Sequence, residues 1–214
     1  DLLGVKSTLG AISSLGQSYP GWRAFVPWAQ SCYRLVLGDV QSANEWIAPA
    51  CATLRPEVDP AWSVSVVQHV RVLRQLGATP AALEQKQRYL DAMKKHDITA
   101  IEPPMFIEAA LLEAQAGAFD RATARLDALI RDREVVGAGG FALGTCYEAR
   151  ARVAIWMRDR AGFERFAAQC ATEFAKGQSP YLRVKYMRLM DEARQCSLVV
   201  PSQSTARIQE AHIF

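Results

Sequence analysis

Residues able to move protons, attack a bond or hold a metal are few in this chain and widely spaced. Its three histidines are His69, His96 and His212, on separate segments. No H-E-x-x-H, no G-x-S-x-G and no cluster with metal-ligand spacing accompanies them. The reading is therefore a protein that is not an enzyme, with no catalytic residue, metal or cofactor. A glycine-rich stretch, Val135–Gly140, invites a phosphate-cradle reading. It lacks both G-x-x-x-x-G-K-[ST] and G-x-G-x-x-G, and it follows a predicted helix, so it is expected to be a linker. The five cysteines, Cys32, Cys51, Cys146, Cys170 and Cys196, include no C-x-x-C pair and are read as reduced thiols in small buried sites. A Cys32–Cys51 or Cys146–Cys170 bridge stays open and would require an oxidising compartment.

Half the residues are hydrophobic and 22% are charged, the balance of an ordinary folded domain. A net charge of +3 makes no case for a nucleic-acid or membrane partner. Arg183, Lys185, Arg188 and Arg194 form a basic group near the C-terminal end, but Asp191 and Glu192 dilute it. No apolar run approaches the ~20 residues that span a bilayer. No signal peptide is visible, and the chain opens on Asp1, which reads as a segment of a longer, cytoplasmic protein.

The elements that must carry these residues are helices. The stretch 103–133 reads as two helices folded back on each other. Pro103 and Pro104 open the first, Gly117 breaks it and Phe119 starts the second. Ala110, Ala114 and Ala122 permit close approach, and Leu112, Phe119, Leu126, Leu129 and Ile130 form the apolar stripe. Such a hairpin cannot bury both faces alone, so it requires copies stacked on it. Hairpins are predicted over 22–54, 61–96, 103–133 and 141–176. A partial repeat precedes them at 2–17, and a capping helix follows at 181–196. Together these make one domain over 1–196, before a polar tail at 197–214. Pro49 should kink or shorten its helix. The valine-rich segment from Ala61 is read as a helix, because ~16 residues exceed ordinary strand length.

The turns repeat. Gly38-Asp39-Val40 precedes Ala43, Gly77-Ala78-Thr79 precedes Ala82, and Gly117-Ala118-Phe119 precedes Ala122. Ala161-Gly162-Phe163 precedes Phe166, which takes the alanine position. This places the turns 39, 40 and 44 residues apart. The form Gly-x-[Phe/Val]-x-x-Ala resembles the tetratricopeptide-like (TPR-like) superfamily over about residues 22–176, though the period exceeds that family's 34 residues. The resemblance implies an all-α fold, a right-handed α-solenoid of antiparallel hairpins with about ten helices. It is the degenerate style of repeat found in modules attached to bacterial signalling proteins.

In such a solenoid the first helices of successive hairpins line a concave face that holds a peptide or partner protein. The candidate partner-binding residues are thus Gln30, Arg34, His69, Arg74, Glu113 and Arg152, with Glu108 and Glu148 beside them. The arginines could clamp carboxylates. The expected function is a protein-protein interaction scaffold, the regulatory module of a larger signalling protein. The alternative is a solenoid that senses a small molecule or signal peptide in a closed pocket at Trp28, His69 and Tyr147. The terminal helices offer a route to a homodimer.

Overall fold

The computed structural model describes residues 2–77, 79–99, 101–177 and 179–198, without the side chains of residues 2 and 3. Among these residues are ten α-helices and no strand. They are α1 (Leu2–Ser18), α2 (Val26–Val36), α3 (Val40–Thr53), α4 (Ala61–Gln75), α5 (Thr79–Lys95), α6 (Glu102–Gln115), α7 (Phe119–Val135), α8 (Phe141–Met157), α9 (Arg160–Ala175) and α10 (Pro180–Gln195). Most of the predicted tail, His212 included, lies outside the described residues. None of the helices is long and apolar enough to cross a membrane.

Three local expectations change. The helix predicted from Trp22 begins at Val26, after a 3-10 helix at Pro20–Phe25. The reason is Pro27, which lacks a main-chain N–H and fits only the first turn of a helix. Of the two effects expected of Pro49, shortening is not seen, since α3 runs to Thr53. Ala43, Ile47 and Cys51 of the same helix are buried. Thr79, expected as a cap, is the first residue of α5. Of the glycines in α1, Gly16 marks close packing, since a Cβ there would lie 2.7 Å from Val26 Cγ2, whereas Gly10 faces open space.

The ends of α2, α4, α6 and α8 follow one rule. Gly38, Gly77 and Gly117 each adopt a positive φ just past α2, α4 and α6. Asp39 N–H then reaches back to Arg34 O, and Ala118 N–H to Glu113 O, which satisfies carbonyls the helix leaves open. At the fourth turn this position belongs to Arg158, with φ 57°, and Asp159 N–H donates to Ala154 O. The expected turn at 159–162 is therefore the start of α9, not its approach. Asp159 caps that helix by accepting from Gly162 N–H, as Asp39 caps α3 by accepting from Ser42 N–H. The register shifts with it. From Gly38 to Gly77, Gly117 and Arg158 the steps are 39, 40 and 41 residues. The residue matching Ala43, Ala82 and Ala122 is Phe163, not Phe166, and all four are fully buried.

The chain divides into two compact units, Asp1–Leu112 and Glu113–Phe214. In the first, α2 and α3 pair as a hairpin, α4 packs on both, and α5 packs on α4. Ile47, Trp62, Val66, Val70, Tyr89 and Met105 form its core. In the second, α7, α9 and α10 surround α8. That explains why α8 is buried on nearly all sides rather than along one stripe. Gly144 lets α9 close on it, because a Cβ there would sit 2.5 Å from the Phe174 ring. The glycine-rich linker also has a structural role. Gly137 ends α7 at φ 69°, and Gly140 precedes α8 at φ 61° while donating its N–H to Glu173 Oε2.

Candidate functional site

Polar side chains on the first helices tie α2 to α4, α4 to α6 and α8 to α10. On α2, Ser31 Oγ accepts from Gln68 Nε2 of α4 at 3.3 Å. On α4, Arg71 Nε and Arg74 Nε donate to the two oxygens of Glu108 on α6, at 2.7 and 3.1 Å. Arg71 also reaches Gln68. Ser31–Gln68 and Arg71–Glu108 both span 37 residues, so this contact recurs with the repeat. Glu108 is buried. Burial works to raise its carboxyl, but the two guanidiniums and their hydrogen bonds outweigh that and hold its pKa below the usual carboxylate range.

The second unit carries a similar brace. Glu148 on α8 accepts from Arg152 Nη2 at 3.2 Å and from Lys185 Nζ on α10. Arg152 Nε donates to Glu192 Oε2 at 2.8 Å, and Trp156 Nε1 to the other Glu192 oxygen at 2.9 Å. Burial works to lower the Arg152 pKa, but Glu148 and Glu192 raise it on balance. Glu113 accepts both bonds of a bidentate pair with Arg125, at 2.9 and 3.0 Å.

The expected site residues divide by exposure. Glu113 is 1% exposed and His69 6% exposed, so neither can meet a partner unless the fold opens. Both are paired inside the chain, Glu113 through its two oxygens with Arg125 and His69 through Nδ1 with Tyr89. His69 Nδ1 lies 2.7 Å from Tyr89 Oη, and Tyr89 also bonds Cys51. Burial lowers the His69 pKa to about 4 and pushes the Cys51 thiol up to about 12. The Arg74 side chain is 12% exposed and Arg152 22%, each held by glutamate. Gln30 is half-buried on α2. Arg34 is the loosest of the set. Its side chain is 39% exposed, its ion pair with Asp39 is long at 3.8 Å, and its buried Nε has no hydrogen-bond partner.

The three residues of the expected sensing pocket have different surroundings. Trp28 lines an apolar groove of about 340 Å³ between α1 and α2, and His69 is not among its lining residues. Tyr147 belongs to the second unit, where it donates to Glu134 and stacks on Phe166. All five cysteines are free thiols. His96 lies 3.7 Å from Glu57. Among the described residues no group of three or more His, Cys, Asp or Glu could hold a metal ion.

No protein-family model matches this chain, and no curated protein matches it. The crystal structure of BtubC (BKLC) from P. vanneervenii is similar to it, with a TM-score of 0.64 over 98% of this chain and 90% of that one. The two chains share a fold. At 11% identity the likeness extends to the all-α, solenoid-like array of helices and no further.

Sequence reasoning missed Ser31, Gln68 and Arg71, and it read Lys185 and Glu192 only as parts of a diluted basic group rather than as partners of α8. The signal was present as a spacing. Ser31–Gln68, Arg71–Glu108 and Glu148–Lys185 are each 37 residues apart, and that becomes readable once the repeat is known to be near 40.

Proposed function

We propose that this chain is a non-catalytic, TPR-like interaction module that binds a peptide or partner protein across its first helices, as the regulatory part of a larger bacterial signalling protein. The observation that supports this reading is the buried polar ladder Ser31–Gln68–Arg71–Glu108–Arg74. Its hydrogen bonds join α2 to α4 and its ion pairs join α4 to α6, which prepares the surface instead of leaving it to be ordered on binding. Arg34 and Arg71, on α2 and α4, have side chains that are 39% and 41% exposed. An acidic side chain of the partner would meet Arg34, which holds Asp39 only loosely.

Selection from a displayed random-peptide library tests the reading. The expected outcome is an acidic peptide whose affinity drops at least tenfold with Arg34→Glu, while the helical circular dichroism signal is unchanged. Binders that protect amides only away from α2 and α4 in hydrogen exchange would overturn the assignment.

A further inference from the structure

Three polar side chains from three helices meet inside the first unit. Cys51 comes from α3, His69 from α4 and Tyr89 from α5, and each is more than nine-tenths buried. Tyr89 Oη lies 2.7 Å from His69 Nδ1 and also bonds Cys51. Tyr89 therefore ties α5 to both α3 and α4. Those two helices have further support, since α3 packs on α2 and α4, and α4 packs on α2, where Gln68 bonds Ser31. Helix α5 packs on α4.

The protons of this group have two possible orders, because a phenol has one hydrogen to give. With His69 neutral, Tyr89 O–H donates to Nδ1, the imidazole proton sits on Nε2, and the Cys51 thiol donates to Tyr89 Oη. A second proton on His69 reverses the order. Nδ1–H then donates to Tyr89 Oη, and Tyr89 O–H turns to Cys51 Sγ, a weak acceptor. The imidazolium also meets no counter-charge. Cys51 and Tyr89 are neutral, and burial pushes both away from ionising. Arg88 of α5 adds a cation near Tyr89. Glu45 of α3 and Glu84 and Asp91 of α5 are exposed. Other charges on the elements packed against α4 are engaged elsewhere: Arg34 of α2 with Asp39, Arg23 of the 3-10 helix with Gly16, and Glu108 of α6 with Arg71 and Arg74.

We propose that Cys51, Tyr89 and His69 form an acid-operated latch, which fastens α5 to α3 and α4 while His69 is neutral and frees α5 when His69 is protonated. A buried charge without a partner is costly, and opening lets the imidazolium reach water. Each opening of α5 then takes up one proton. Burial holds the closed-state His69 pKa at about 4, against 6.5 in water. The opening constant therefore rises about tenfold per pH unit as pH falls from 6.5 toward 4.

Hydrogen exchange of the whole chain tests the latch, read by mass spectrometry at about pH 6.5 and pH 5 and corrected for the intrinsic pH dependence of exchange. Protection of α5 should fall at least tenfold between the two, while α2, α3 and α8 change by less than about threefold. His69→Asn keeps an acceptor for Tyr89 and removes the titrating group, so its α5 protection should hold within about threefold. Tyr89→Phe removes the link itself and should cost α5 at least about fivefold in protection already at the higher pH. Equal pH dependence in the native chain and His69→Asn would overturn the proposal. So would an acid loss spread evenly over α2 to α5, because His69 would then weigh on the whole unit and not on one helix. Circular dichroism checks that each variant is folded. Should His69→Asn fail that check, Tyr89→Phe decides, and unchanged α5 protection in it would overturn the latch.

Discussion

At the scale of single residues, two buried groups make the sharpest predictions. His69 has a folded-state pKa of about 4, below the ordinary value of 6.5. The unfolded chain therefore takes up the proton first. The stabilisation is fully present above pH 6.5 and is lost as pH falls from there to 4, a difference of roughly 3 kcal/mol. Urea unfolding between pH 4 and 7 should show that slope in the native protein and not in His69→Asn. An identical slope in both would assign the pH dependence to other groups. Glu108 is the second. Its removal leaves Arg74 buried without its anion, and breaking such a pair costs about 3–5 kcal/mol. Glu108→Ala should fall at the lower end of that range, since Arg71 is 41% exposed and can be rehydrated. Arg71→Ala should cost less, because Arg74 still holds the carboxylate. A loss below 1 kcal/mol for Glu108→Ala would mean that the ladder contributes little to stability.

At the scale of elements, the turns and one close helix contact decide the packing. Arg158 occupies a left-handed conformation that glycine holds at the three preceding turns. Arg158→Gly should therefore stabilise the chain by about 0.5–1 kcal/mol, and Gly117→Ala should destabilise it by at least ~1 kcal/mol. Calorimetry on the two variants checks the pair of signs; a destabilising Arg158→Gly would mean that the arginine side chain contributes more than its backbone strain costs. Gly144 has no such positive φ. Its constraint is steric, because a methyl group there would overlap the Phe174 ring. Gly144→Ala should cost about 1–3 kcal/mol by forcing α8 and α9 apart. Pairing it with Phe174→Leu should recover part of that loss, which distinguishes overpacking from a change in helix propensity.

At the scale of the whole molecule, stacked repeats touch only their neighbours, and stability is close to a sum of local terms. The brace Glu148–Arg152–Glu192–Lys185 lies wholly within residues 113–214. Glu148→Ala should accordingly speed hydrogen exchange most in α8 and α10 and least in α2 and α3. A uniform increase along the chain would contradict this and imply all-or-none unfolding.

Much of the fold was legible in the sequence because helices announce themselves locally. The ten segments, the antiparallel turns and the buried alanines at 43, 82 and 122 follow from apolar spacing and from glycine at helix ends. The fourth turn was misplaced because a left-handed residue without glycine leaves no compositional mark. Gly162 drew the register to itself, although it lies inside α9. The candidate face was legible only in part. Spacing placed Arg34, Arg74, Glu108, Glu148 and Arg152 on first helices, but it does not carry depth. Whether a polar residue is solvated, paired or buried depends on which side chain of the next helix, some 40 residues away, comes within hydrogen-bonding distance. His69 and Glu113 are buried for that reason, and for the same one Gln68 joins the ladder of the first unit and Lys185 the brace of the second. The sequence alone determined the helices and three of the four turns, those marked by Gly38, Gly77 and Gly117. Tertiary packing decided which charges hold the stack together and which still face outward, because burial and pairing are set by neighbours distant in the chain.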